Sequence, residues 1–136
     1  MLRDAWALAI ETLSCIEMKR MSERLALTQA TKKLKIKDSR AIGLAHRLVT
    51  ETLRKKNYID HLLNLVLAPQ SINELNLKVQ VFLQIYTHEI KLVDSTQKNP
   101  AKIARMGRQI LGWSQLNDVE QVFGKILSLN TEKALD

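Results

Sequence analysis

Apolar residues in this chain recur every three or four positions, which is the spacing of one face of an α-helix. The first such stretch covers residues 2–19, and its apolar stripe consists of Leu2, Trp6, Ala9, Leu13 and Ile16. The other apolar patterns have the same helical period, whereas half-buried strands alternate apolar and polar residues. The pattern therefore predicts an all-α protein.

Residues that favour helix ends divide the chain into seven predicted helices. The start signals are the N-caps Ser22 and Asp38, the pair Asn99-Pro100, and the capping boxes Ser71 with Glu74 and Asn117 with Glu120. The predicted helices cover residues 2–19, 22–34, 38–55, 58–67, 71–93, 99–113 and 117–129. We expect them to form a single bundle, one domain over 1–136, with 131–136 as a tail or the start of a linker.

The fifth predicted helix is apolar over well over half of its circumference. Its narrow polar side consists of Gln80, Gln84, Thr87 and Lys91. A helix that is apolar on most sides belongs in the interior of a bundle. We therefore expect this helix at the centre.

The third predicted helix has two contrasting faces. At 100° per residue, its apolar face consists of Ile42, Ala45, Leu48, Val49 and Leu53. On the opposite side, Arg40, Arg47 and Arg54 are spaced by seven and align within about 40°. Glu51 is placed to pair with either Arg47 or Lys55 at a spacing of four. Three aligned arginines are more than the solubility of one helix requires.

The charge of the chain is concentrated near its start. The net charge is +7. Residues 1–56 contain 13 Lys/Arg and 6 Asp/Glu, whereas residues 57–136 contain 8 of each. Such asymmetry favours a negatively charged partner over a merely solubilising surface.

Side chains that could carry catalysis are scattered along the chain. Cys15 is the only cysteine, so neither an intrachain disulfide nor a cysteine metal cage is expected. His46, His61 and His88 lie on different predicted helices, without a carboxylate or second histidine at the spacing of a helical metal site. The four glycines form no phosphate-binding loop. We therefore predict no enzymatic activity, no metal site and no cofactor for this chain.

The distribution of apolar residues also bears on the cellular compartment. No apolar run approaches the roughly 20 residues that span a bilayer. The N-terminus lacks the charged start, apolar stretch and cleavage site of a signal peptide. We expect a cytoplasmic protein without a membrane partner.

Motifs along nearly the whole chain, taken in order, resemble those of the NusB family. They are KDSRA at 37–41, LVTETLR at 48–54, ID at 59–60, FLQIY at 82–86, the proline-led segment 100–111 and VFGKIL at 122–127. The resemblance implies an all-helical domain that binds RNA and protein. In this family the domain occurs as a free-standing transcription antitermination factor that works with a ribosomal protein. It also occurs as the N-terminal RNA-binding domain of Sun/Fmu-type RNA cytosine-C5 methyltransferases.

Departures from the family pattern favour the methyltransferase type over the antitermination factor. The positions that differ are Glu51, Phe82, Thr87, Arg105, Met106 and Gly124, and only Arg3 remains of an arginine-rich start. The catalytic cysteines and the S-adenosylmethionine loop of the methyltransferases have no counterpart here. The resemblance therefore implies a non-catalytic domain whose partners are rRNA or tRNA and either a ribosomal protein or a fused methyltransferase domain.

An RNA-binding domain is the leading interpretation of these observations. Its candidate phosphate contacts are Arg20, Arg24, Lys32, Lys33, Lys35, Arg40, Arg47, Arg54, Lys55 and Lys56. Tyr58 is the one plausible base-stacking residue, although burial is an equal alternative. Sequence-specific recognition of RNA is therefore not expected.

Two further interpretations come from other functional classes. One is a helical protein-interaction module that binds a ribosomal protein or a catalytic domain. The other is a helix-turn-helix DNA-binding protein, which requires a short exposed recognition helix. The fourth predicted helix, which follows the basic one, is too apolar for that role. The sequence predicts no particular oligomeric state.

Overall fold

The structure is a computed structural model that describes residues 1–93, 99–112 and 120–129. Every regular element within these residues is helical, so the all-α prediction is confirmed. By its internal contacts the chain divides into two compact units, Met1–Arg54 and Lys55–Asp136. The single domain over 1–136 stays a prediction.

The first unit consists of three helices: α1 (Leu2–Lys19), α2 (Glu23–Leu34) and α3 (Ser39–Arg54). α1 packs against both α2 and α3. The buried positions of α2 are Ala26 and Ala30, and those of α3 include Ala41 and Ala45. These small side chains permit close approach, because the distance between helix axes depends on the residues at the contact. The predicted bounds of α1 are confirmed to the residue.

The second unit consists of four α-helices and two shorter turns within the described residues. The helices are α4 (Lys56–Leu67), α5 (Leu77–Thr87), α6 (Pro100–Leu111) and α7 (Glu120–Leu127). A 3₁₀ turn, Ile72–Glu74, precedes α5, and a π-helical turn, His88–Leu92, follows it. α5 contacts α4 and α6, as expected for a central helix.

The core of the second unit is aromatic. Phe82 and Tyr86 of α5 lie close to Phe123 of α7, with ring centroids 6.1 Å apart for Phe82–Phe123 and 5.0 Å for Tyr86–Phe123. Gly107 of α6 lies directly over the Phe82 ring, and a Cβ atom at that position would overlap the ring. The absence of a side chain at 107 therefore allows α6 to pack closely on α5.

The predicted start of the fifth helix was wrong. The capping box of Ser71 and Glu74 is present, with the Ser71 N–H donating to the Glu74 carboxylate at 2.7 Å, but it closes only the 3₁₀ turn. Leu75 then adopts an extended conformation (ψ 157°), so the chain leaves the helix. Asn76 begins α5 instead, because its side chain accepts a hydrogen bond from the Lys78 N–H at 3.0 Å. Two competing N-caps lie within six residues, and the sequence motif identified only the first.

The predicted polar side of α5 is partly buried. Thr87 is fully buried and Gln84 is 6% exposed. Gln84 is satisfied inside the unit, since its Nε2 donates to Asp60 Oδ1 of α4 at 2.8 Å. The α-helix also ends at Thr87 rather than at the predicted residue 93, because the chain widens into the π-helical turn. α5 is therefore enclosed more completely than its sequence pattern predicted.

The remaining helix bounds differ from prediction by a few residues. α4 begins at Lys56, two residues earlier than predicted, and α7 ends at Leu127, two residues earlier. The Asn99 cap is confirmed, because its side chain accepts from the Lys102 N–H at 3.0 Å. The predictions for Trp113, Asn117 and residues 131–136 lie outside the described residues. Among the described helices, none combines the length and apolar composition that crossing a membrane requires.

Candidate nucleic-acid interface

α3 separates an apolar face from a basic one. Ala41, Ala45, Leu48, Val49 and Thr52 are its buried residues and fall on one side at 100° per residue. The three arginines of the opposite side, Arg40, Arg47 and Arg54, are all exposed. Successive members of this arginine row are about 10 Å apart along the axis, because each residue rises 1.5 Å. The row extends along the full length of the helix.

The first arginine of the row is positioned by a helix cap. Asp38 Oδ1 accepts a hydrogen bond from the Arg40 N–H at 2.9 Å. This hydrogen bond is the main reason why the pKa of the Asp38 carboxyl lies below its ordinary value. The Arg40 side chain is 80% exposed, and its Nε lies 3.6 Å from the same carboxylate oxygen. The cap therefore starts α3 while the guanidinium remains accessible.

The middle arginine has an intrahelical partner. Arg47 Nη1 lies 3.0 Å from Glu51 Oε2, so the structure selects Arg47 from the two partners that the sequence left open for Glu51. The Arg47 side chain is still 42% exposed. Beside the row, a Cβ atom built on Gly43 would meet no atom within 4 Å, so this flank of the row is open.

Two further basic residues end helices in the left-handed conformation. Arg20 follows α1 with φ 52° and ψ 39°, and Lys35 follows α2 with φ 56° and ψ 38°. At Lys35 the chain forms a Schellman motif, since the Lys35 and Ile36 N–H groups donate to the Lys32 and Thr31 carbonyl oxygens at 3.2 Å. Glycine is the usual residue in this conformation, because a Cβ is unfavourable there. Arg20 and Lys35 are both exposed.

Lys33 has a structural partner. Its Nζ donates to Oε1 of Glu11 on α1 at 2.7 Å. The hydrogen bond to Glu11, followed by the charge of that carboxylate, raises the pKa of Lys33. The Glu11 side chain is 9% exposed and the Lys33 side chain 66%. This ion pair satisfies a nearly buried carboxylate and joins α1 to α2.

The ten predicted contacts therefore occupy different environments. Eight belong to the first unit: Arg20 after α1, Arg24, Lys32, Lys33 and Lys35 in or just after α2, and the arginine row on α3. Lys55 and Lys56 belong to the second unit, where Lys56 is half-buried and its Nζ lies 3.1 Å from Asp60 of the same helix. Tyr58 is half-buried as well.

The sequence-based selection omitted two exposed lysines of the first unit. Lys19 is the last residue of α1, directly before Arg20, and Lys37 precedes the α3 cap. Both lie in residues 1–56, where the positive charge is concentrated, so this asymmetry could have identified them as candidate phosphate contacts. We define the basic surface as the exposed cations of the first unit that flank or belong to α2 and α3, without Lys33, which is bound to Glu11: Lys19, Arg20, Arg24, Lys32, Lys35, Lys37, Arg40, Arg47 and Arg54.

Comparisons with known proteins agree with this fold. The family model described as NusB family matches residues 3–104. A chain in a solved structure described as "Crystal Structure of a Plectonemic RNA Supercoil" has the same fold, with a TM-score of 0.78 and 18% sequence identity. The match covers 98% of this chain and 94% of that chain. No curated protein matches the chain significantly.

Proposed function

Because the chain belongs to the NusB family, we propose that it is a non-catalytic RNA-binding domain that holds RNA phosphates on its basic surface. The observation that carries the proposal is the arginine row of α3. One face of this helix is buried in the first unit, and the other presents three exposed arginines over the full length of the helix. Helix faces of this kind contact RNA largely through its phosphates.

Arg20 and Lys35, two cationic residues whose backbone is in the left-handed conformation, support the same interface. Replacing either residue by glycine would relieve about 1 kcal/mol of backbone strain. At both positions the chain nevertheless carries a long cation that reaches into solvent. A side chain that is unfavourable for the backbone and makes no core contact is better explained by binding than by folding.

The composition of the first unit favours contacts with phosphates rather than bases. Trp6 is the only aromatic residue in Met1–Arg54, and it is 2% exposed. Aromatic side chains are the platforms on which successive bases of a single strand stack, and the one aromatic residue of this unit is buried. We therefore propose binding with little preference for nucleotide sequence.

The finer proposal is that this domain is the N-terminal domain of an rRNA or tRNA cytosine-C5 methyltransferase. Antitermination factors of the family carry a basic residue where this chain has Phe82, and the general family pattern has an acidic residue where this chain has Thr87. Both Phe82 and Thr87 are fully buried in the second unit, so neither offers a polar contact to a ligand. These positions favour the methyltransferase type over the antitermination factor with its ribosomal-protein partner. The reading frame beyond codon 136 tests this: a methyltransferase domain there supports the finer proposal, and a stop codon contradicts it.

RNA binding is tested by removing the arginine row. The triple variant Arg40→Gln, Arg47→Gln, Arg54→Gln should bind RNA at least about tenfold more weakly at low salt, measured by fluorescence anisotropy. The decrease should be similar for unrelated RNA sequences. The slope of log affinity against log salt should flatten by about 0.7 for each phosphate of single-stranded RNA that the variant no longer neutralises.

A matched variant keeps this test specific. Lys102→Gln, Arg105→Gln, Lys125→Gln removes the same charge from exposed positions of the second unit. It should bind RNA nearly as well as the parent. Equal decreases in the two triple variants would show that only net charge matters, and unchanged binding in the first would contradict the interface.

A further inference from the structure

A groove opens on the second unit, and none of the residues that the RNA proposal uses line it. It has a volume of about 260 Å³ and lies between α6 and α7, with Tyr86 of α5 also lining it. This volume is just below the range of small-molecule sites. It is therefore suited to one or two inserted side chains rather than to a cofactor.

The groove is formed by two helix stripes that face each other. α6 contributes Ala101, Ala104, Arg105 and Arg108, at the i, i+3, i+4, i+7 spacing of one helix face. α7 contributes Glu120, Phe123 and Leu127, at i, i+3, i+7. The alanines create the depression because they stop short of the opposite wall. Two facing stripes with this periodicity form the holes into which the side chains of a further helix pack.

The apolar part of the groove is only partly covered. Leu127 at the rim is 46% exposed, and Ala101 is exposed as well. Beneath them, Tyr86 is 1% exposed and Phe123 is 7% exposed. Burial raises the pKa of the Tyr86 hydroxyl, so it remains neutral at physiological pH. The groove thus combines an aromatic base with an exposed aliphatic rim, the arrangement of pockets that anchor a partner side chain.

The charged residues around the groove indicate whether its partner is acidic or basic. α6 carries Lys102, Arg105 and Arg108 and no acidic residue. Arg108 donates from Nε and Nη2 to both carboxylate oxygens of Glu120, which joins α6 to α7 and lowers the pKa of Glu120. Arg105 is exposed on the lining and makes no ion pair within the described residues. The lining cation available to a partner is therefore Arg105.

We infer that this groove binds an acidic amphipathic helix of a partner protein, which inserts a bulky apolar side chain between α6 and α7 and places a carboxylate on Arg105. The inference does not rest on the RNA-binding proposal. Charge complementarity identifies the partner as acidic, and the two stripes identify it as helical. RNA fits the site less well, because Phe123 and Tyr86 are too buried to present a ring face to a base.

The probe for the test is a labelled synthetic helix about four turns long, with leucines at i, i+3 and i+7 and glutamates on the flanks. A twin peptide carries lysine in place of every glutamate. The full chain should bind the acidic peptide more tightly than the basic twin, measured by fluorescence anisotropy. No binding of the acidic peptide up to about 1 mM would overturn the inference.

Two tryptophan variants locate the binding. Ala101→Trp fills the groove from its rim without entering the core, because Ala101 is exposed in the first turn of α6. It should weaken binding of the acidic peptide by at least about tenfold, the equivalent of removing one apolar anchor. Gln109→Trp, at an exposed position of the same helix outside the groove, should leave affinity unchanged. Equal decreases in both variants would overturn the site, provided that both melt like the parent.

Charge variants separate this inference from RNA binding. Arg105→Glu should weaken binding of the acidic peptide and strengthen binding of the basic twin. The arginine-row variant of α3 should bind the acidic peptide normally while its RNA affinity falls. If RNA affinity falls in Ala101→Trp, the groove binds RNA instead of a helix. If Arg105→Glu leaves the preference for the acidic peptide unchanged, Arg105 does not contact the partner.

Discussion

The first and second units of this chain differ in both surface and core. Residues 1–54 carry 11 Lys/Arg against 6 Asp/Glu and a single aromatic residue, whereas residues 55–136 carry 10 against 8 and five aromatics. The first unit packs α2 and α3 through alanines and presents cations, and the second packs around Phe82, Tyr86 and Phe123 and presents an apolar groove. Under the two proposals above, the first unit attracts RNA phosphates and the second recognises a partner helix, so the two tasks lie in separate parts of the chain.

The largest effect that this comparison predicts is on stability. Phe82→Ala removes a fully buried ring from the second unit and should reduce the free energy of unfolding by about 3–5 kcal/mol. Met18→Ala in the first unit should change it by no more than about 0.5 kcal/mol, because the Met18 side chain is 69% exposed. Chemical denaturation measures both. Similar decreases in the two variants would mean that the aromatic cluster does not dominate the core.

A smaller effect distinguishes folding from binding within the first unit. Arg20→Gly and Lys35→Gly should each raise stability by up to about 1 kcal/mol, because both residues adopt the left-handed conformation. Each should weaken RNA binding, since each removes a cation that neutralises a phosphate. Thermal melts and anisotropy on the same samples measure the two quantities.

The matched control for these variants is Gly124→Ala in the second unit. This glycine is exposed in the middle of α7, and an added Cβ would meet no atom within 4 Å. The substitution should also raise stability, by about 0.5–1 kcal/mol, because alanine favours helix over glycine. RNA affinity should not change. If Arg20→Gly and Lys35→Gly also bind RNA like the parent, these two cations do not belong to the interface.

The smallest predicted effect is a pH dependence of the stability that the Asp38 cap of α3 contributes. The pKa of Asp38 in the folded protein lies below its ordinary value of 3.8. Its contribution to stability is therefore fully present well above pH 3.8 and disappears as the pH falls through 3.8 towards the lowered pKa. Asp38→Asn keeps a capping oxygen but does not titrate, so the difference in stability between parent and variant should shrink in acid. A difference that is constant from pH 6 to pH 2 would contradict this account.

The sequence predicted best those features that depend on neighbouring residues. The bounds of α1 and the cap of α2 were correct, and Ser22 Oγ accepts from the Leu25 N–H at 3.2 Å as a cap should. The arginine row required only the helical period of α3. Each of these is set by side chains within a few turns of one another.

Features that depend on distant residues were not predictable. Lys33 and Glu11 are 22 positions apart, so nothing in the sequence indicated that this cation would be held by a carboxylate of α1. The groove was not predicted, because the spacing of Ala101 and Ala104 on one face of α6 does not indicate which part of that face is covered by another helix. Only the position of α7 shows that part of this face has no helix packed against it within the described residues.

The contact between Gly107 and Phe82 lies on the side of α6 that faces α5, and it determines how closely the two helices pack. Any side chain at 107 would act as a wedge and move the helix away from the ring. Since the groove uses α6 as one wall, its width follows from a residue that does not line it. Gly107 therefore sets the width of the groove: larger side chains at 107 should displace α6 and change this width, although no lining residue is substituted.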